Sequence, residues 1–214
     1  MHIEFLVEDS SGTMLLELLI PQIIGPLHNP HTWRVHPYKG LGNTPQNLKP
    51  KTDARKRILL DQLPKLLKGY AKTSGIDAVV VVVDSDRKNC QDFLSELKSV
   101  AVDSGAPDTM FRIAIEEIEA WYLGDPTAIL TAYPRAKRAL LSKYEQDSVC
   151  GTWERLAEIV HPGGVKAANK VGGPSPGNLK HEWAANIGGH MDMDRNASPS
   201  FQKFVSGLRR LTHI

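Results

Sequence analysis

The sequence is poor in the features that mark disulfide-rich, membrane and polyanion-coating proteins. It has two cysteines in 214 residues, Cys90 and Cys150, which excludes a disulfide framework and is typical of a reducing compartment. Its apolar runs fall far short of the ~20 residues that span a bilayer. Its first residues lack the basic stretch of a secretory signal and have acids inside their apolar run. The formal net charge of +2 gives no general affinity for nucleic acid, so such binding would need a local basic patch. These absences predict a cytoplasmic globular protein.

The order of the apolar segments that are present indicates an α/β fold. Residues 79–83 are five consecutive valines followed by an acid, and such a run is typical of a strand buried on both faces of a parallel sheet. Residues 3–7 and 110–115 also read as strands, and residues 31–38 alternate as a more peripheral strand does. Helical periodicities separate these segments. We therefore predict a Rossmann-like, mostly parallel sheet flanked by helices.

Local signals set the expected ends of several helices. Ser10 or Ser11 is expected to cap the first helix, and Pro21 is expected to end or kink it. The second helix is expected to begin at Thr52, and a later helix to cover residues 136–144. The helices between the strands have lengths that suit an α/β domain.

After residue 125 the pattern changes to helices alone. The last helix has Ser198 as its N-cap and Pro199 at its first position, followed by an apolar stripe. We therefore predict two parts: an α/β domain of residues 1–125, and a helical C-terminal extension of residues 126–214 packed on it.

Acidic residues follow three of the predicted strands. They are Glu8, the pair Asp84 and Asp86, and the group Glu116, Glu117 and Glu119. The carboxyl ends of parallel strands lie at one edge of a sheet, where open α/β sheets bind ligands, so these acids are expected to converge there. Carboxylates that lie close together raise one another's pKa unless a cation neutralises them, and Mg²⁺ prefers such oxygen ligands. The alternative is that Asp84 and Asp86 only end the strand and cap the next helix.

Three segments that carry these acids resemble the motifs of TOPRIM domains. Residues 5–12 place Glu8 at a strand end before a small-residue turn and a helix, and residues 81–86 contain an Asp-x-Asp motif. Residues 114–125 are similar to a Glu-x-Glu-Ala element of an uncharacterised bacterial TOPRIM-like family related to overcoming-lysogenisation-defect nucleases. The resemblance covers the α/β part of the chain. The sequence departs from the pattern at Asp9, where the family has a glycine.

The resemblance implies a TOPRIM-like fold and Mg²⁺-dependent phosphodiester chemistry, with Mn²⁺ as a substitute. By analogy, Asp84 and Asp86 would hold the metal, and Glu8 would be a general acid or base or a further ligand. Glu117 and Glu119 would complete a second metal position. Topoisomerases and primases need modules for which 214 residues leave little room, so a small nuclease acting on DNA or RNA fits best. The resemblance also suggests a role in bacterial defence or on a mobile element.

Basic residues that could contact phosphates lie in two regions. Arg55 and Lys56 belong to the basic run 49–57, which is either a phosphate-binding surface or a solvated helix face. The glycine-rich segment 163–174 is either a mobile flap over the crevice or a linker. Further candidates for phosphate contacts are Lys166, Lys170 and Lys180.

Other functions stay open at this point. A non-catalytic partner subunit, for example of an ATPase-containing assembly, would bind Mg²⁺ with a nucleotide or a protein and cleave nothing. A flavodoxin-like or response-regulator-like signalling domain also carries acids at its strand ends, although the helical extension fits it poorly. Trp121 and Tyr122 follow the third acidic group directly and either stack a base or belong to the core.

Overall fold

A single parallel sheet organises the chain, whose computed structural model describes residues 1–43, 54–86, 88–148, 151–170 and 175–214. The strands are β1 (His2–Val7), β2 (Thr32–Pro37), β3 (Ala78–Asp84) and β4 (Asp108–Ala114). Their order is β2-β1-β3-β4, and every pairing is parallel. The predicted α/β architecture, with a mostly parallel sheet flanked by helices, is confirmed.

Ten α-helices accompany the sheet in the described ranges. They are α1 (Ser10–Ile24), α2 (Leu59–Tyr70), α3 (Cys90–Ser104), α4 (Glu119–Leu123), α5 (Pro126–Ala132), α6 (Arg138–Leu141), α7 (Thr152–Val160), α8 (Gly164–Ala168), α9 (Pro176–Gly188) and α10 (Pro199–Thr212). A short 3₁₀ turn, Ala54–Lys56, precedes α2. Within the same ranges, no helix combines the length and the apolar character that crossing a membrane requires.

The valine run is apolar throughout because helices cover both faces of the sheet. Side chains alternate across a strand, so Val79, Val81 and Val83 belong to one core cluster, which they share with leucines of α2 and α3. Val80 and Val82 belong to a second cluster, shared with α1 and with helices from the carboxyl-terminal part. All five valines are at most 2% exposed. Their sequence therefore records burial on two sides.

The carboxyl-terminal helices pack directly on the sheet side that α1 covers. Helices α9 and α10 both contact α1, and α10 also contacts β4. The rings of Phe201 and Phe204 lie 5.5 and 5.0 Å from the Trp121 ring, measured between ring centroids. Trp121 and Tyr122 are at most 1% exposed, so both aromatic residues belong to the core and do not stack a base.

The first helix differs from its prediction at both ends. Its N-cap is Asp9, whose carboxylate accepts hydrogen bonds from the Gly12 amide at 2.7 Å and from the Ser11 hydroxyl at 2.9 Å. The predicted cap at Ser10 or Ser11 was wrong, because both residues already lie in the first helical turn. Pro21 does not end the helix, which continues to Ile24.

Other bounds were predicted with mixed success. Ser198 caps α10 and Pro199 opens it, as expected. Helix α2 begins at Leu59, whereas the predicted start at Thr52 lies outside the described residues. The helix expected over residues 136–144 is confined to α6, because Ser142 and Lys143 form a turn. Residues 49–53 of the basic run and Cys150 also lie outside the described residues.

Candidate functional site

The carboxyl-terminal edge of the sheet forms a crevice where the chain changes direction. Strand β1 lies between β2 and β3, so successive connections leave to opposite sides at the junction of β1 and β3, and ligands of open α/β sheets bind at such a point. Glu8 directly follows β1, and Asp84 is the last residue of β3. The Asp84 amide donates a hydrogen bond to Glu8 Oε2 at 3.1 Å. The structure therefore brings together two acids that are 76 positions apart.

The loops after β3 and β4 are tied together by Ser85. Its amide donates to the Ala114 carbonyl at 3.0 Å, and its hydroxyl accepts from the Glu116 amide at 2.6 Å. The Asp86 amide donates to the Glu116 carbonyl at 3.0 Å. Asp86 and Glu116 both have positive φ, at 49° and 62°, a conformation that costs free energy for residues other than glycine. These hydrogen bonds hold the third acidic group at the same edge as Glu8 and Asp84.

Ser85→Ala is expected to lower the free energy of unfolding by about 1 kcal/mol, because the Glu116 amide would lose its acceptor. Urea unfolding measures this change. Ser99→Ala, on the exposed surface of α3, is the matched control and should change stability much less. Equal effects of the two substitutions would contradict a tying role for Ser85.

Lys180 from α9 lies among the acids that follow β4. Its ammonium nitrogen is 2.9 Å from Glu117 Oε1 and 3.6 Å from Glu119 Oε2. The Glu119 side chain is 0% exposed, and neither of its carboxylate oxygens has a hydrogen-bond partner among the described residues. The buried Tyr122 hydroxyl likewise has no described partner. Lys180 therefore stands where the resemblance implies a second metal position.

Burial shapes the charge state of the two acids at the junction of β1 and β3. Burial raises the pKa of Glu8 to about 7; the charges of Asp86 and Asp9 add to this rise, and the Asp84 amide and Lys180 oppose it. Burial, together with the Glu8 charge, raises the pKa of Asp84 well above its usual range, while Lys180 opposes that rise. Glu8 and Asp84 thus disfavour each other's ionisation.

Lys180 couples this pair to the third acidic group. Burial raises the pKa of Glu119 to about 7, with Lys180 opposing the rise and Glu117 adding to it. Burial alone would lower the pKa of Lys180, but the carboxylates of Glu119, Asp84 and Glu117 raise it above the usual range. The acids and Lys180 therefore form one electrostatic unit in which negative charge exceeds positive charge.

Several of the predicted acids also have structural partners. Glu116 accepts hydrogen bonds from the Gly151 and Thr152 amides, and Glu117 Oε2 accepts from the Trp153 amide at 3.2 Å. These contacts satisfy the amino-terminal amides of α7. Glu116 therefore serves as a cap, which the sequence did not indicate because its partners follow it by 35 and 36 positions.

A polar cavity of about 530 Å³ opens beside this unit. Asp86, an exposed residue, lines it together with Lys88, Glu116, Glu117 and Glu154. The cavity opens this edge of the sheet to solvent.

The donor set suits a hard cation, although the acids do not form a closed cage. Among the described residues, no three His, Cys, Asp or Glu side chains are arranged to hold a metal ion. The buried Glu119 carboxylate nevertheless lacks a hydrogen-bond donor, and it lies in one electrostatic unit with Glu8 and Asp84. Mg²⁺ typically binds to one or two carboxylates and completes its shell with water and substrate phosphates. The residues therefore fit Mg²⁺ in their chemistry.

The predicted basic residues separate into one at the site and four at the surface. Lys180 contacts the acids, whereas Lys166 and Lys170 are exposed on and after α8. Arg55 and Lys56 are exposed on the 3₁₀ turn. Arg57, which follows that turn, is linked to the acidic edge: its carbonyl accepts from the Lys39 amide, and the Glu8 carbonyl accepts from the adjacent Gly40 amide.

The glycine-rich segment is partly helical. Residues 164–168 form α8, which contacts α7, and Glu158 of α7 accepts a hydrogen bond from the Val165 amide at 3.0 Å. This part of the segment is therefore a helix held against its neighbour α7, where the sequence analysis predicts a flap or a linker. Residues 171–174 lie outside the described residues.

Comparisons with known proteins identify one family. Residues 7–209 match a family model described as a domain of unknown function (DUF4276). Neither a curated protein nor a solved structure matches the chain. The match begins at the last residue of β1 and covers strands β2 to β4, the acidic edge and the carboxyl-terminal helices as far as residue 209.

Proposed function

Because the chain belongs to the DUF4276 family, whose description assigns no activity, we propose from its site that it is a Mg²⁺-dependent nuclease, with Mn²⁺ able to substitute. The reaction is hydrolysis of a phosphodiester bond in nucleic acid. The proposal includes a TOPRIM-like fold, because the segments that carry Glu8 and Asp84 resemble TOPRIM motifs, and a role in bacterial defence or on a mobile element.

The observation that carries this proposal is the Glu119 carboxylate. It is fully buried and has no hydrogen-bond partner among the described residues, a state that costs free energy unless a further group binds it. Lys180, at 3.6 Å, satisfies it only in part. A divalent cation is the ligand that would remove this cost, because it attracts Glu119 and the Glu8–Asp84 pair at once.

The residues of the site have distinct parts in the proposed reaction. Asp84 and Glu119 would hold Mg²⁺, which when bound supplies Lewis-acid activation of water and neutralises phosphate charge. Glu8, with a pKa of about 7, is suited to accept a proton from the attacking water near neutral pH. Lys180 would stabilise the negative charge that develops on the phosphate oxygens. Glu117 positions Lys180 through their 2.9 Å contact.

Cleavage of nucleic acid by the purified protein is the direct test. Incubation with supercoiled plasmid, single-stranded DNA and tRNA should give cleavage products with Mg²⁺ or Mn²⁺ and none with EDTA. Asp84→Asn should reduce the rate at least a hundredfold, because it removes a cation ligand from the centre of the site. Glu96→Gln, exposed on α3, is the control and should cleave at the rate of the natural protein. Gels of time courses measure these rates.

A second candidate function is a non-catalytic partner subunit, for instance of an ATPase-containing assembly. It is favoured by Lys180, whose contacts with Glu117 and Glu119 neutralise part of the acidic charge. No cleavage of any substrate with either metal, together with tight binding to a partner protein, would support this candidate and overturn the nuclease proposal.

A further inference from the structure

A groove runs along the open edge of β4, between α3 and α10. Two cavities of about 450 and 540 Å³ make it up. They share Leu94 of α3, Phe111 and Arg112 of β4, and Arg210 of α10 in their walls. The groove is therefore continuous along the edge strand.

Positive side chains line this groove without carboxylate partners. Arg112, Lys203 and Arg210 form no ion pair with any described carboxylate. Two carboxylates also line the groove: Asp147, to which the Ser198 hydroxyl and the Ser200 amide donate at 2.9 and 2.7 Å, and the exposed Asp108 in the second cavity. The formal net charge of the whole protein is only +2. Cationic side chains nevertheless outnumber carboxylates in this groove.

Arg112 is held in the middle of the groove by its neighbours. Its Nε donates to the Lys203 carbonyl at 2.8 Å, and its Nη1 donates to the Phe111 carbonyl at 2.7 Å. Gly207 makes room for the guanidinium, since a Cβ atom there would collide with it. Burial lowers the pKa of Arg112, and the Arg210 charge lowers it further. An anion in the groove would relieve this repulsion.

The cations of α10 are arranged along the groove. Lys203 and Arg210 are seven residues apart, which is about two helical turns, so they share one face and lie roughly 10 Å apart along the axis. Both are exposed. The side chains of Asn89 and Ser198 cap the amino-terminal amides of α3 and α10. The positive charge of the groove therefore comes from its lysine and arginine side chains.

The groove leads to the acidic site. Ile115 lines the groove, and the next residue, Glu116, lines the acidic cavity. Leu94 and Ile113 give the groove apolar surface beside its cations. A charged groove with apolar surface suits a single strand, whose bases are free to pack while its phosphates meet the cations.

We propose that this groove binds the phosphodiester backbone of single-stranded nucleic acid and directs the strand to the acidic site. This inference rests on the proposed function, because it identifies the substrate as single-stranded. DNA and RNA share this backbone chemistry, and separate oligonucleotides distinguish them.

Binding without cleavage tests the groove by itself. Fluorescence anisotropy of labelled single-stranded DNA and RNA oligonucleotides is measured in EDTA over a range of NaCl concentrations. The double variant K203E/R210E is expected to bind at least tenfold more weakly. Its slope of log Kd against log salt should fall by about 1.4, since each lost phosphate contact on a single strand removes about 0.7. The variant K203R/R210K, which keeps the charges, should bind like the natural protein.

The matched control reverses two charges elsewhere. Lys68 and Lys72 are exposed on and after α2, and neither lines the groove, so K68E/K72E should leave both the Kd and the slope unchanged. Circular dichroism checks the fold of each variant.

Equal loss of binding in K68E/K72E, or no binding of either oligonucleotide by the natural protein, would overturn the inference. Competition by poly-glutamate as strong as that by an unlabelled oligonucleotide would also overturn it, in favour of an acidic protein partner. Groove-dependent binding without any metal-dependent cleavage would instead overturn only the proposed nuclease activity.

Discussion

Glu119→Gln is expected to make the protein more stable at pH 8 while abolishing its Mg²⁺-dependent cleavage. The Glu119 side chain is fully buried without a hydrogen-bond donor, and burial raises its pKa from 4.5 to about 7. An amide of nearly the same shape removes the buried charge. It also removes the oxygen ligand that the proposed metal site needs.

The gain in stability depends on pH in a defined direction. Because the folded-state pKa of Glu119 lies above its unfolded value, the folded state binds more protons between about pH 4.5 and 7. The natural protein therefore loses stability as pH rises through that window. The advantage of Glu119→Gln in free energy of unfolding should be less than about 1 kcal/mol at pH 5 and about 3 kcal/mol at pH 8.

Urea unfolding at pH 5 and pH 8 in EDTA measures this difference, and the cleavage assay measures the loss of activity. Glu96→Gln, on the exposed surface of α3, removes a carboxylate of the same kind and should change neither quantity. A Glu119→Gln variant that is less stable than the natural protein at pH 8 would contradict the account of a destabilising buried charge. A variant that cleaves at the natural rate would remove Glu119 from the mechanism.

Asp125→Ala is expected to destabilise the protein by about 3 kcal/mol, because it leaves several donors without their acceptor. The Asp125 side chain is fully buried. It accepts from the Ala128 amide at 3.1 Å and from the Asp192 amide at 2.9 Å. Arg195 donates to both of its carboxylate oxygens, at 3.0 and 2.8 Å. Asp125 thus caps α5 and fastens the connection between α9 and α10 to it.

Thermal or urea unfolding measures the effect of Asp125→Ala. The control is Asp194→Ala, which removes an exposed carboxylate paired with Arg209 and should not change stability measurably, because exposed ion pairs contribute little. Asp125→Asn should fall between these two, since its single carbonyl oxygen replaces two carboxylate acceptors. Similar stabilities of Asp125→Ala and the natural protein would contradict the fastening role.

This role changes the meaning of residue 125, which in the sequence only marks the point where strands give way to helices. The structure shows the helices beyond it packed on the sheet, in one core cluster with β1 and β3. Asp125 therefore marks the change in sequence pattern and also fastens the helices that follow it to one another. The sequence offers no local sign of this, because Arg195 lies 70 positions away.

What the sequence determined by itself is the periodic part of the structure. Five consecutive valines specify a strand buried on both faces, because such a position accepts apolar side chains in succession. A second rule places the acids at the ends of β1 and β3 at one edge of the sheet, because parallel strands have their carboxyl ends on the same side. Strand direction thus places Glu8 and Asp84 at one edge, and the pairing of β1 with β3 makes them adjacent.

Only the tertiary structure decided which acids are available for chemistry. Asp9 caps α1 and Glu116 caps α7, whereas Glu119 is buried without a described donor. All three are acids after a predicted strand, and nothing in their spacing separates them. Lys180 joins the site from α9, more than sixty positions beyond Glu117. The periodicity of a sequence indicates which face of a helix or strand is buried. The packing of the helices decides which distant side chains become hydrogen-bond or ion-pair partners. Those partners decide which carboxylates are neutralised and which are not.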